Sequence, residues 1–184
     1  MSKQTKQLGS WGLVVALVGS LLGVVIPFVG ILVLLGWIAV VVGYIKASDE
    51  LGDPQIKSNV IKAVVSGILA LVVFVAGGGA MAFSMASQMR GGDGMNMGAP
   101  VIVVMVAAWL LGVLASWFWY KANSHMAERT GINLFKTGGL LMFAGTILAL
   151  IMIGGLVSLV GEILLIVAWF GVQEERSDVE VSQS

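Results

Sequence analysis

Between Leu8 and Ile45 the chain runs for 38 residues without a charged side chain. An α-helix rises about 1.5 Å per residue, so a single helix of that length would measure roughly 57 Å, nearly twice the hydrocarbon core of a bilayer at about 30 Å. The block must therefore fold back once. The residues for a reversal are present in Ile26-Pro27-Phe28-Val29-Gly30, where proline removes an amide hydrogen and glycine loosens the backbone.

Three more apolar blocks follow, Ala63 to Met89, Ala99 to Tyr120, and Thr137 to Val172. The middle two have the length of single helices. The last is again too long for one crossing, and Gly154-Gly155 lies near its middle. The expected fold is an all-α integral membrane protein, a six-helix bundle built from a hairpin, two single spans and a second hairpin. The bundle is expected over 1–172, with spans near 9–26, 29–46, 60–88, 99–122, 134–153 and 155–172. An acidic, disordered cytoplasmic tail is expected over 173–184.

Composition fits only this class. Of all residues 58% are hydrophobic and 11% charged, against about 25% charged in a soluble domain. The balance of ten basic and ten acidic side chains offers no basic face for nucleic acid, which is not expected as a partner. The absence of cysteine removes disulfides, thiolate nucleophiles and Cys-ligated metals. Lys3 and Lys6 ahead of Leu8 resemble the start of a signal peptide, but the apolar run is far longer than a signal core of about 7–15 residues and reads as a retained span.

Basic residues collect on the cytoplasmic side of membrane proteins. Six crossings place Lys3, Lys6, Lys46, Lys57, Lys62, Lys121, Arg129, Lys136 and Arg176 on one side and Arg90 on the other. This predicts a multi-pass cell-membrane protein with both termini cytoplasmic. Trp11, Tyr44, Trp117, Trp119, Tyr120 and Trp169 would then lie at the interfacial ends of their helices, while Trp37 and Trp109 would pack near mid-span.

The two long blocks also look alike. Gly19-Ser20 and Gly145-Thr146 precede their breaks, and Gly36-Trp37-Ile38 and Gly161-Glu162-Ile163 follow them, a pattern that suggests a parallel internal repeat. Small residues at four-residue spacing, Gly12, Ala16 and Ser20 beside Gly19 and Gly23, then Ala108, Gly112 and Ser116, let helix backbones approach closely within one bundle or between chains. Gly77-Gly78-Gly79 predicts a kink or a close contact in the third span. Two polar loops, 46–57 and 121–136, carry most of the charge, and Gly131 reads as a helix stop.

Three stretches resemble a known family: Ala47-Ser48-Asp49-Glu50-Leu51-Gly52-Asp53, the segment from Gly131 to Leu141, and Glu162 to Phe170. They are similar to a mainly archaeal membrane family known as domain of unknown function nine-nine-six. The resemblance extends over nearly the whole chain but not over the Met- and Gly-rich segment after the third span. It implies a multi-span membrane protein and no assigned activity, catalytic residue or cofactor.

Glu162 is the ionisable residue deepest in an apolar block, and a charge there costs about 2.5 kcal/mol or more. Helical spacing aligns Gly154, Ser158 and Glu162, with Thr146 and Ser20 as further polar partners. The site reading is a proton or cation position, and the structural reading is an interhelical contact. Met81, Met85 and Met89 share one face and offer soft thioether ligands suited to copper(I), although methionine is also an ordinary core filler. His125 is the sole histidine and reads as a solvated loop residue near Glu128 and Arg129.

No nucleotide-binding, zincin or nucleophile-elbow motif occurs. The chain is therefore expected to be non-enzymatic and to work without a cofactor, as an accessory, scaffold or assembly component. Its expected partners are membrane lipid, copies of itself or a larger membrane complex. Permeation of an ion or small solute past Glu162 is the alternative, and copper(I) handling a minor one.

Overall fold

The computed structural model describes residues 1–23, 26, 30–89, 98–149 and 153–173, apart from the side chains of 80–89 and 98–100. The Pro27 turn, Arg90, Met95, Met97, the side chains of Met81, Met85 and Met89, and the tail beyond Gln173 lie outside the described residues. The described residues form six α-helices and no strand: α1 (Lys3–Gly23), α2 (Gly30–Leu51), α3 (Pro54–Met89), α4 (Gly98–Thr130), α5 (Asn133–Leu148) and α6 (Ile153–Gly171).

Five of the six helices are long and apolar enough to cross a membrane. The exception is α5, whose 16 residues reach about 24 Å at 1.5 Å per residue. Successive helices pack as antiparallel neighbours, and α6 returns to α1, so the six close into a ring. The start of α1, the end of α6 and the turns at 52–53 and 131–132 share one end, the near end; the other is the far end.

Each long apolar block is a hairpin held by backbone contact. A Cβ placed on Gly36 would stand 2.5 Å from the Ala16 amide nitrogen and 2.7 Å from the Gly12 carbonyl oxygen. In the last hairpin, a Cβ on Gly161 would stand 2.7 Å from the Gly138 carbonyl oxygen and 2.9 Å from the Met142 nitrogen. Gly12 and Gly138 are matched in turn, each facing the opposing glycine's carbonyl oxygen and the branched side chain four residues further on, Val40 or Leu165. The resemblance between the two blocks is thus a shared contact geometry. Only glycine permits such an approach, and in an apolar medium the dispersion gained there holds the helices.

Several expectations change. The breaks were expected at the glycines of the last block, yet α6 already includes Gly154 and Gly155. Gly154 is buried against the Gly145 carbonyl oxygen, so it serves close approach rather than reversal. The polar loops are mostly helix, because α2 runs to Leu51 and α4 to Thr130. The true turns are two residues each. They begin with Gly52 and Gly131, whose positive φ of 63° and 72° is the left-handed geometry that ends a helix at low cost for glycine. Gly77 gives the expected close contact, against Val104, while Gly78 and Gly79 meet open space and α3 continues through all three.

The small-residue faces divide. Gly12, Ala16 and Gly19 are consumed by the contact with α2, and Gly23 only brushes Gly30. Ala108 is buried, but Gly112 faces open space and Ser116 is half-buried, so that face does not bring two backbones together.

Replacing Gly36 by Ala should force the two backbones apart and destabilise the protein by about 1–3 kcal/mol, as overpacking does. Gly155→Ala, where a Cβ meets open space, should be neutral or stabilising by up to about 1 kcal/mol. Thermal unfolding in detergent distinguishes the two, and equal midpoints would contradict the contact assigned to Gly36.

Candidate functional site

The near end is locked by aromatic rings and by a few polar ties. Tyr44 and Trp169 are fully buried and Trp119 nearly so. The Tyr44 ring centroid lies 4.8 Å from that of Trp119 and 5.2 Å from that of Trp169, Trp37 meets Trp119 edge-on at 5.3 Å, and Phe135 meets Trp169 at 5.6 Å. Three of the six rings expected at the interface therefore belong to the core. The helices converge here, so inward rings fill the ring of helices, whereas Trp11 and Trp117 remain 55% and 38% exposed as expected. The Tyr44 hydroxyl donates to Asn123 Oδ1 at 2.5 Å, and the Asn123 amide donates to the Trp119 carbonyl at 2.8 Å. A buried polar pair of this kind is satisfied within the core. Gly9 lies directly under the Trp169 indole, and this notch seats α6 on α1.

Below the rings, Glu50 and Asp53 fasten the helix ends. Glu50 accepts from the Ser2 amide at 2.7 Å and from the hydroxyls of Ser2 and Thr5 at 2.6 and 2.5 Å, which pins the start of α1 to the end of α2. Asp53 precedes Pro54 at the start of α3, the arrangement of an N-cap followed by proline. Its Oδ1 accepts from the Gln55 amide at 3.0 Å and its Oδ2 from Arg129 Nε at 3.0 Å. His125 Nδ1 stands 3.4 Å from the same oxygen, so this histidine lies on α4 facing the α2–α3 turn rather than in a solvated loop.

Burial pushes the Asp53 carboxyl up. The Arg129 hydrogen bond, the Gln55 amide, and the charges of His125 and Arg129 outweigh it and hold the carboxyl below the ordinary range.

Above the aromatic floor, residues of α2 to α6 line a laterally open chamber of about 540 Å³, comparable to ligand pockets of about 300–1,000 Å³. Its floor includes Trp37 and Trp119. Its inner wall includes Gly112, Ser116, Thr146 and Ser158. The Ser116 and Thr146 hydroxyls donate to the carbonyls of Val113 and Met142 on their own helices, which leaves the lining largely apolar.

The structure separates the polar residues grouped from the sequence. Thr146 and Ser158 both line the chamber. Glu162 is half-buried one turn further toward the near end and is not among the lining residues. Ser20 is exposed and donates to the Leu17 carbonyl, because its side of α1 points away from the ring. Sequence reasoning missed the Asp53–Arg129 tie and the Tyr44–Asn123 pair. The Asp-Pro dipeptide was a legible sign of the first, and nothing local signals the second.

The chain can be placed beside known proteins. A family model described as Protein of unknown function (DUF996) matches residues 32–163. The chain belongs to this family. All the chamber-lining residues, from Leu34 to Ser158, fall inside the match. An uncharacterized protein of Methanocaldococcus jannaschii is 28% identical over 173 residues, covering 94% of each chain. No solved structure matches.

Asp53→Asn keeps the N-cap but removes the charge paired with Arg129, and it should lower stability by about 1 kcal/mol or slightly more at neutral pH. A carboxyl with a depressed folded pKa stabilises fully above its unfolded value of about 3.9 and loses that contribution as pH falls through the lower folded value. The gap between parent and variant should therefore close on acidification below about pH 4. Denaturation of both proteins across that range checks it, and a gap that persists at the acid end would contradict the charge pairing.

Proposed function

We propose that this protein is a non-enzymatic integral membrane component, an accessory or scaffold that associates with copies of itself or with larger membrane partners. The observation that carries this reading is where the polar side chains go. Glu50, Asp53, Asn123 and Tyr44 each tie one helix of the chain to another. They build a rigid frame rather than a cleft with acid, base and nucleophile, and among the described residues no three His, Asp or Glu side chains converge as metal ligands. The outward faces of α2, α3 and α4, with Leu34, Leu71, Phe74 and Ile102 exposed, are left for lipid or for another membrane helix.

The same reading has the chain crossing the bilayer six times, with the near end in the cytoplasm. Lys3, Lys6, Lys46, Lys57, Lys62, Lys121, Arg129 and Lys136 all belong to helix segments at that end. The short α5 fits if the bilayer thins around it, at a modest cost per ångström of mismatch. The aromatic floor supports an accessory role over permeation, since Tyr44, Trp119, Trp169 and Phe135 fill the space through which a solute would pass.

Two measurements test the proposal. The chain has no cysteine, so single-cysteine variants report sidedness directly. Gly30→Cys, at the exposed far end of α2, should react with a membrane-impermeant maleimide in intact cells, while Lys57→Cys should react only after lysis. Protection of Gly30→Cys would favour re-entrant hairpins over full crossings. Native mass spectrometry after mild detergent extraction should show an oligomer or a co-purifying membrane protein, and a strictly monomeric, partner-free species would count decisively against the scaffold role.

A further inference from the structure

We infer that the chamber above the aromatic floor is a binding site for one hydrocarbon chain of a bilayer lipid, which enters sideways between α2 and α3. The inference rests on the membrane reading above but not on the scaffold role.

The way in is set by what surrounds the chamber. Its floor is the indole of Trp119, itself packed against Trp37 and Tyr44, so nothing reaches it from the near end. Toward the bilayer the barrier is absent. Leu34 and Ile38 of α2 and Ile68 of α3 line the chamber yet are 62%, 52% and 56% exposed, which makes them the rim of a lateral mouth. Near their joining turn the same two helices are closed by Tyr44, Ala47, Ile56 and Val60, all fully buried.

Depth selects the occupant. Ile38 precedes Lys46 by eight residues and Ile68 follows Lys62 by six, which places the rim roughly 9–12 Å along the helices from the nearest lysines. At that depth the surrounding solvent is acyl chain. The chamber offers a polar solute few partners: no ionisable side chain lines it, Ser116 and Thr146 bond to their own helices, and among the described residues what remains is the Ser158 hydroxyl and the buried indole N–H of Trp119.

From Leu34 to Val42 the chamber extends about 12 Å along α2. Ala63, Gly112 and Ala115 make the room, and a Cβ on Gly112 would meet nothing within 4 Å.

The chamber carries its own reporters, Trp37 and Trp119. In a Trp11→Phe, Trp109→Phe, Trp117→Phe background, which removes the indoles outside the chamber that are not fully buried, the protein would be reconstituted into phosphatidylcholine vesicles with or without bromine on the acyl chains. Brominated chains should quench the fluorescence. Gly112→Leu, which fills the chamber from its inner wall, should lose much of that quenching. Ile38→Phe, which narrows the mouth from an exposed position, should lose part of it even if the first variant folds poorly. Gly155→Leu adds bulk to an exposed face where a Cβ meets open space, and it should quench like the background. Equal quenching in the background, Gly112→Leu and Ile38→Phe proteins would overturn the site while leaving the membrane reading intact. Failure of the background protein to float with the vesicles would sink both.

Discussion

If the solvent is hydrocarbon, as the proposed membrane location has it, two helices gain nothing by hiding apolar surface from each other, so something other than the hydrophobic effect must hold them. Here it is backbone laid against backbone, Gly12 on Gly36 and Gly138 on Gly161. The rest of the architecture follows from these two contacts. They fix the register of the first and last hairpins. That register brings Gly9 beneath Trp169, closes the ring, and crowds the aromatic side chains into one end.

The crowding has an opposite at the far end. The α1–α2 and α5–α6 pairs stay close there, but α2 and α3 part above Ala63, where Leu34, Ile38 and Ile68 stand exposed around the chamber. Small residues then behave in two ways along one fold. Gly36 and Gly161 draw backbones together, whereas Gly112 and Ala115 face a chamber that no neighbour fills. Spacing alone does not distinguish the two uses, since both sets recur at helical intervals.

This explains how much could be read from the residues in order. The hairpins were legible because 38 uncharged residues cannot cross a bilayer once. The stop at Gly131 was legible because a helix end needs a left-handed residue. The likeness of the two long blocks was legible at Gly36 and Gly161, whose close contacts match. What escaped depends on residues far apart in sequence: Arg129 reaching Asp53 across 76 positions, and Tyr44 reaching Asn123 across 79. The grouping of Ser20 with Glu162 failed for the related reason that helical periodicity orders residues on one helix and says nothing about which way a second helix turns. Glu162 drew attention as a lone charge, while the larger feature, the chamber, has no charge to announce it.

The seat of α6 on α1 also sets a timetable. The Gly9 notch is synthesised at the start of the chain, and Trp169, which covers it, follows about 160 residues later. At about 5–20 residues per second that is a wait of roughly 8–32 s. Through that interval the first hairpin can form from its own residues, but the ring stays open along one seam. Its first helix keeps an unclaimed face until the last one arrives.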